Sequence, residues 1–343
     1  MPERSVLHVL PHPGGGGETY VDTLEAMEGY RFERLYLGPT ARPSGSLVGG
    51  VARAIRQARR HDVVHVHGEV AAGLCVPVLA TRPSVVTLHG LNLLRRSDGT
   101  KRRVATLNLR LIVRTAAQTI CVSDAEQREL ILAVGVRASE RTFVVRNGVE
   151  PVPPPTSEER AAARRELGLE DGTPVAIWVG PLQPHKDPLT AVRAAREAGL
   201  TMLVVGEGAL RDEVERIGQR SVRCLGERRD MRRLLAAADL FVLSSRSEGL
   251  SFSLLEAMSA GLAPIVTDHP ANLEAIGDAG LAVPYGDQRA LAAVLSRLAH
   301  NAAERRSLGE RGTRRTTELF RADQMVNRTR EIYGHVLRER LGR

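Results

Sequence analysis

The chain has 343 residues, 43% of them hydrophobic, 26% charged and 3% aromatic, which at roughly 150 residues per domain is enough for about two domains with cores of their own. This composition excludes a disordered, collagen-like or disulfide-stapled chain, and no apolar run approaches the ~20 residues of a bilayer span, Val70 to Ala80 being half that. A net charge of +8 and an isoelectric point near 10.1 favour anionic partners, whether nucleic acid, anionic lipid or phosphorylated small molecules, without choosing among them.

Cys75, Cys121 and Cys224 lie far apart with no Cys-x-x-Cys pair, a pattern of reduced core thiols rather than disulfides or a zinc site. Residues Ser5 to Leu10 are too short for a signal-peptide core and run into a Pro-Gly-rich stretch with no cleavage site, so a cytoplasmic protein is expected. Of the 48 basic residues only Lys101 and Lys186 are lysine. A position that needs a compact ammonium cannot drift freely to arginine, so the place of each lysine matters.

Taken in chain order, Val6–Leu10, Val63–His67, Ser84–Leu88, Thr119–Val122 and Thr142–Val145 are short β-branched runs that predict buried strands. Helical patterns follow most of them. The proline-rich stretch from Asn147 to Pro155 can continue neither a helix nor a central strand. Pro174–Val179, Thr201–Val205, Ser221–Leu225, Leu240–Leu243 and Ala263–Thr267 then repeat the scheme. Such alternation predicts parallel sheets covered on both faces, here two Rossmann-like domains, residues 1–150 and 151–320, facing a central cleft. Residues 321–343 hold Met325, Val326, Thr329, Ile332, Tyr333, Val336 and Leu337 at helical spacing, a long amphipathic helix with an arginine-rich outer face. Open parallel sheets bind ligands at the carboxyl ends of their strands, which directs attention to the strand–loop junctions.

Three junctions stand out. The first strand ends in His12-Pro13-Gly14-Gly15-Gly16-Gly17-Glu18, glycines that let backbone amides approach an anion. The spacing fits neither G-x-G-x-x-G nor the P-loop, so no dinucleotide or nucleoside-triphosphate fingerprint is present. The second, Gly180-Pro181-Leu182-Gln183-Pro184-His185-Lys186-Asp187-Pro188, puts one of the two lysines at a helix start. The third runs from Ser244 to Met258. There Glu248 precedes the amides of Gly249, Leu250 and Ser251, which open a helix whose dipole would favour a diphosphate. Glu256 sits one turn into that helix among apolar residues, where a carboxylate is costly unless hydroxyl donors satisfy it.

Two glutamates separated by seven residues within Glu-Gly-Leu-Ser…Leu-Leu-Glu-Ala-Met-Ser-Ala-Gly resemble the donor-site signature of retaining GT-B glycosyltransferases of the family 4 type. The likeness extends along the chain through Gly15-Gly16-Gly17-Glu18, Val64-His65-Val66-His67, Thr87-Leu88-His89-Gly90, Val122-Ser123, Arg146-Asn147-Gly148-Val149 and Val205-Gly206-Glu207-Gly208, in the family's order and spacing. Phe320 to Val336 resembles its closing helix, which returns to the N-terminal domain.

The resemblance implies a nucleotide-sugar donor, most often a UDP-sugar, held by the C-terminal domain, and a glycan, lipid-linked or small-molecule acceptor held mainly by the N-terminal one. Glu256 would bind the ribose hydroxyls and Glu248 those of the donor sugar. Lys186, aided by amides at Gly15, Gly16 and Gly249 to Ser251, would neutralise the diphosphate. His89 would lie beside the reacting carbon, Arg228 near the base, and His12 and Glu18 toward the acceptor. The departing phosphate would deprotonate the acceptor hydroxyl, leaving the protein to position and stabilise charge, and closure about residues 147–157 would exclude water. Family members usually carry arginine directly after Val-Gly, where this chain has Pro181; either another arginine substitutes, with Arg246 the candidate, or the donor is bound differently. The departure keeps open an impaired binding or partner subunit, and a GT-B sugar-nucleotide epimerase is a further alternative. With no Asp-x-Asp and no His/Cys ligand spacing, no metal or other cofactor is expected. Arg95, Arg96, Lys101, Arg102, Arg103, Arg110 and Arg114 read as a solvated helix face, with peripheral contact to anionic lipid or an acidic acceptor as the alternative. Nucleic acid is not expected as a partner, since no recognition motif accompanies the charge.

Overall fold

The structure is a computed structural model that describes residues 3–38 and 47–341. The chain divides into two units, Met1–Asn147 with Ala322–Arg343, and Gly148–Arg321. The helix Ala322–Leu341 thus belongs to the first unit although it follows the second in sequence.

The first unit is built on a parallel sheet of β1 (Arg4–Leu10), β2 (Tyr30–Tyr36), β3 (Val63–His67), β4 (Ser84–Thr87), β5 (Gln118–Cys121) and β6 (Thr142–Val144), in the order β2-β1-β3-β4-β5-β6. The second holds β7 (Val175–Val179), β8 (Thr201–Val205), β9 (Val222–Gly226), β10 (Leu240–Leu243), β11 (Ala263–Thr267) and β12 (Leu281–Val283), in the order β12-β11-β10-β7-β8-β9. Two strands were not anticipated from sequence. β2, Tyr-Arg-Phe-Glu-Arg-Leu-Tyr, alternates polar and apolar residues because it is an edge strand with one wet face, and β12 is a three-residue edge.

Each unit has its own aliphatic core. In the first, Leu7, Val9, Val64, Val66 and Val86 point to one face of the sheet with Leu109 and Ile112 of the helix Gly99–Thr115. Strand alternation sends His8, His65, His67 and Thr87 to the opposite face, under Tyr20 of the helix Gly16–Leu24 and Thr329 and Tyr333 of the helix Ala322–Leu341. In the second, Trp178, Val204, Val242 and Ile265 pack with Val192, Leu291 and Leu295. Among the described residues no helix is long and apolar enough to cross a membrane.

Candidate functional site

Both sheets change direction beside their first strand, and in doubly wound sheets the ligand crevice lies at that switch point. In the second unit it falls between β7 and β10, which pair directly, with Val242 opposite Trp178. The loops leaving these two strands are tied together. Trp178 Nε1 donates to Ser244 Oγ at 3.0 Å, and the Ser244 hydroxyl donates to the carbonyl of Asp187 at 2.7 Å. The Arg246 amide donates to the carbonyl of His185 at 2.9 Å. Asp187 takes a left-handed backbone (φ 49°) and caps the helix Pro188–Glu197 by accepting from Thr190 N. This scaffold delivers Lys186 Nζ to 2.7 Å from Glu248 Oε1. Burial alone would raise the Glu248 carboxyl, but the charge and hydrogen bond of Lys186, with Ser245 and His185 beside it, hold it below its ordinary value.

Ser251 caps the helix Phe252–Ser259, accepting from Leu254 N, with Gly249 and Leu250 buried just ahead of it. On this helix the Glu256 carboxyl forms no hydrogen bond or ion pair with any described residue, and burial pushes it up to about 7. Arg246 is exposed on the loop that carries Glu248. Arg228, after the edge strand β9, is held by a two-pronged bond to Asp230 at 2.8 and 2.6 Å and joins none of these groups. The loops after β7 and β8 cross so closely that a Cβ on Gly206 (φ +132°) would stand 2.0 Å from the Gly180 carbonyl oxygen, and one on Gly208 (φ +157°) 2.5 Å from that of Leu182. The Val-Gly-x-Gly turn is therefore glycine by contact as well as by conformation.

In the first unit the switch point lies between β1 and β3. Gly14 and Gly15 adopt positive φ, and Gly15 precedes the helix Gly16–Leu24. Glu18 turns back on this loop: it accepts from the Tyr36 hydroxyl and the Gly14 amide and faces Arg34 at 3.6 Å. The Tyr36 bond foremost, then the Gly14 bond and Arg34, lowers its pKa against the opposing effect of burial. His12 is exposed, its Nδ1 2.9 Å from the Pro13 carbonyl. His89 holds a left-handed backbone (φ 58°), a conformation that costs a non-glycine residue about 1 kcal/mol. Its ring lies edge-on to Tyr20, and its Nε2 is 3.0 Å from His67 Nδ1.

Glu126 fixes the peptide beside His89. Fully buried, it accepts from the amides of Gly90 and Val122, the latter at 2.6 Å, while its own amide donates to Ser123 Oγ. Burial pushes its carboxyl up to about 7. The sequence reading passed over Glu126, although Ser123-Asp124-Ala125-Glu126 is a capping-box spacing. It also passed over His8, whose strand register sets it opposite His65. His8, His65 and His67 bring ring nitrogens within 4.8 Å of one another, but His65 is engaged by Tyr333 and Thr87 at 2.6 and 2.7 Å, and His67 by His8 and His89. These contacts describe a hydrogen-bonded cluster rather than a vacant ligand set.

Comparison with known proteins follows the same division. Residues 7–152 match the model of Glycosyltransferase Family 4, and residues 173–301 that of the Glycosyl transferases group 1. The UDP-Gal:alpha-D-GlcNAc-diphosphoundecaprenol alpha-1,3-galactosyltransferase of Escherichia coli is 30% identical over 230 residues, 61% of this chain and 58% of that enzyme. The putative glycosyltransferase EpsD of Bacillus subtilis is 26% identical over 296 residues, 80% of this chain and 76% of its own length. Among solved structures, Anabaena HepE in complex with UDP-glucose superposes with a TM-score of 0.82 at 21% identity, covering 96% of this chain and 99% of that one.

Proposed function

The chain belongs to the family 4 and group 1 glycosyltransferases of GT-B fold, and from that membership we propose that it moves a sugar from a UDP-sugar to an acceptor hydroxyl, with retention of configuration and without a metal ion. The observation that carries this reading is the Lys186–Glu248 pair at the switch point of the second sheet, eight residues ahead of Glu256, which has no partner among the described residues. A UDP-sugar is favoured because the E. coli relative takes UDP-Gal and the HepE crystals hold UDP-glucose.

In this reading the Lys186 ammonium meets the diphosphate, and Glu248, already ionised and held by that ammonium, accepts from donor-sugar hydroxyls. Glu256 accepts from the two ribose hydroxyls, which remove its lack of partners. The amides of Gly249 to Ser251 add the positive end of a helix, and Gly15 and Gly16 open a helix of the same kind in the first unit. Charge is then neutralised by a lysine and amides, and no divalent ion is required. Arg246 takes the role of the arginine missing at Pro181; its amide is anchored on the carbonyl of His185, next to Lys186. Arg228, oriented by Asp230, faces the base. Glu18 orders the glycine loop, with His12 on the acceptor side. As the bond from the anomeric carbon to the phosphate oxygen breaks, that oxygen takes the proton of the acceptor hydroxyl, whose oxygen bonds the carbon on the same face. The protein's part is positioning and charge stabilisation.

A peripheral contact with anionic lipid is a second element of the proposal. It is favoured by the helix Gly99–Thr115, which exposes Val104, Leu107 and Leu111 beside Arg103, Arg110 and Arg114.

The test is thermal stabilisation by UDP, GDP, ADP and dTDP with and without magnesium. A ligand at a hundred times its dissociation constant adds about 2.7 kcal/mol. Stabilisation by UDP alone, independent of magnesium and lost in Glu256→Ala, is expected. No shift with any nucleotide would leave the non-catalytic partner reading in its place.

A further inference from the structure

A row of three imidazoles runs from the interior of the first unit to its surface. His8 Nδ1 lies 2.8 Å from His67 Nε2, and His67 Nδ1 lies 3.0 Å from His89 Nε2. His8 and His67 are buried, whereas His89 is partly exposed. At the inner end His8 Nε2 is buried with no hydrogen-bond partner. Burial drives all three rings well below the usual imidazole range, His8 and His89 to about 3, so each is neutral and carries a single ring proton.

With one proton per ring and two contacts to fill, only two arrangements satisfy the row. In the first, His8 Nδ1–H donates to His67, His67 Nδ1–H donates to His89 Nε2, and His89 is left with a proton on Nδ1. In the second every proton moves to Nε2 and the direction reverses. The arrangements differ at the buried end. The first leaves a bare lone pair at His8 Nε2, and the second leaves an orphaned N–H there. Buried donors without acceptors are the rarer and costlier defect, which selects the first.

We propose that His67 and His8 are positioning residues that fix His89 as its Nδ1–H tautomer, so that His89 offers a hydrogen-bond donor, and no basic nitrogen, to an oxygen of the bound sugar or acceptor. The left-handed backbone of His89, with Gly90 N held by Glu126, fixes the peptide; the histidine row fixes the proton. A base at this position would compete with the phosphate for the acceptor proton. The row removes that competitor by taking up the only nitrogen of His89 that carries a lone pair. The catalytic consequence rests on the functional reading above; the tautomer does not.

The experiment is a long-range proton–nitrogen correlation spectrum of the protein labelled with 15N-histidine, with no ligand added, and His8→Phe, His67→Phe and His89→Gln used to assign the rings. Three Nδ1–H tautomers, at His8, His67 and His89, are expected, with the His89 signal altered in His67→Phe. An Nε2–H at His89 overturns the proposal, whatever the variants do. Release of UDP from UDP-glucose, with water as acceptor, gives the second readout. His67→Phe should lower kcat/KM about tenfold, the worth of one misdirected neutral hydrogen bond, at unchanged UDP affinity, and an unchanged rate overturns the positioning role. If wild-type protein neither binds UDP nor releases it, the functional reading fails, while the spectrum still decides the tautomer.

Discussion

Lys186 and Glu248 stand 62 residues apart in sequence and 2.7 Å apart in space, one on each of the two loops that flank the switch point of the second sheet. The pair is neutral as a unit before any ligand arrives. Removing the ammonium leaves a buried carboxylate uncompensated, so Lys186→Met should cost about 3 kcal/mol at pH 7, at the low end for a broken buried pair because the lysine is partly exposed. Because the Glu248 carboxyl lies below its ordinary 4.5 in the folded protein, this stabilisation is full above that value and is lost as pH falls through the folded one. Urea denaturation of both proteins at pH 7 and in acid checks it: the gap between them should close in acid.

Glu256 titrates in the opposite sense. Its carboxyl is raised to about 7, so in the folded, unliganded protein it is protonated on the acid side of neutrality. The stability this confers is present below the unfolded value and disappears as pH rises through 7. In the proposed ribose contact the ionised form offers both oxygens as acceptors, whereas protonation turns one of them into a donor. UDP binding should therefore tighten as pH rises through about 7 and release a proton, visible as a buffer-dependent heat in titration calorimetry. In Glu256→Gln the affinity should be weaker and flat with pH.

Gly206→Ala forces a methyl against the Gly180 carbonyl at a positive φ and should cost more than about 2 kcal/mol. Gly172, also at positive φ (+81°) but with nothing within 4 Å of an added Cβ, supplies the control: Gly172→Ala should cost about 1 kcal/mol, the conformational penalty alone. Denaturant midpoints of the two variants separate contact from conformation.

Glu126→Ala strands the amides of Gly90 and Val122 in the interior and should destabilise by about 2 to 4 kcal/mol, one to two per lost acceptor. Glu126→Gln keeps one carbonyl oxygen and should lose less. Hydrogen exchange at Gly90 should accelerate in both, most in the alanine variant.

Vesicles carrying anionic lipid should sediment the protein at low salt, and neutral vesicles should not. Leu107→Glu, on the exposed face of the helix Gly99–Thr115, should abolish that binding and leave the melting temperature within a degree or two, as for a surface substitution. Equal binding of wild type and variant removes the lipid element of the proposal.

Much of the fold was legible because parallel strands buried on both faces are written as continuous β-branched runs, as in Val63–His67 and Ala263–Thr267. β2 escaped because its wet face breaks the run, and β12 because three residues carry too little pattern. Lys186 and Glu256 could be singled out one by one, since a lysine in an arginine-rich chain and a carboxylate among leucines are each locally anomalous, and Glu248 by its place just ahead of a helix start. That Lys186 and Glu248 touch could not be read, because their meeting depends on strand order, which places β10 directly beside β7. The histidine row was hidden for the same reason. His8, His67 and His89 look scattered along the sequence until the β1–β3–β4 pairing brings them together. Pro181 and the candidate Arg246 were both visible in sequence, whereas the bond from the Arg246 amide to the His185 carbonyl, next to Lys186, was not.

The helix Ala322–Leu341 has a bearing on how the molecule is made. Its Tyr333 hydroxyl closes on His65 and its Thr329 on Tyr20, so the first unit is complete only with residues from beyond the second. On a ribosome the stretch Gly148–Arg321 emerges as an uninterrupted unit able to fold at once. The earlier one must wait, with His8, His65 and His67 on an uncovered sheet face, until Tyr333 has been synthesised. The earlier of the two units is thus the later to finish folding, and a chain cut short before Ala322 would leave that polar face open to water and to other nascent chains.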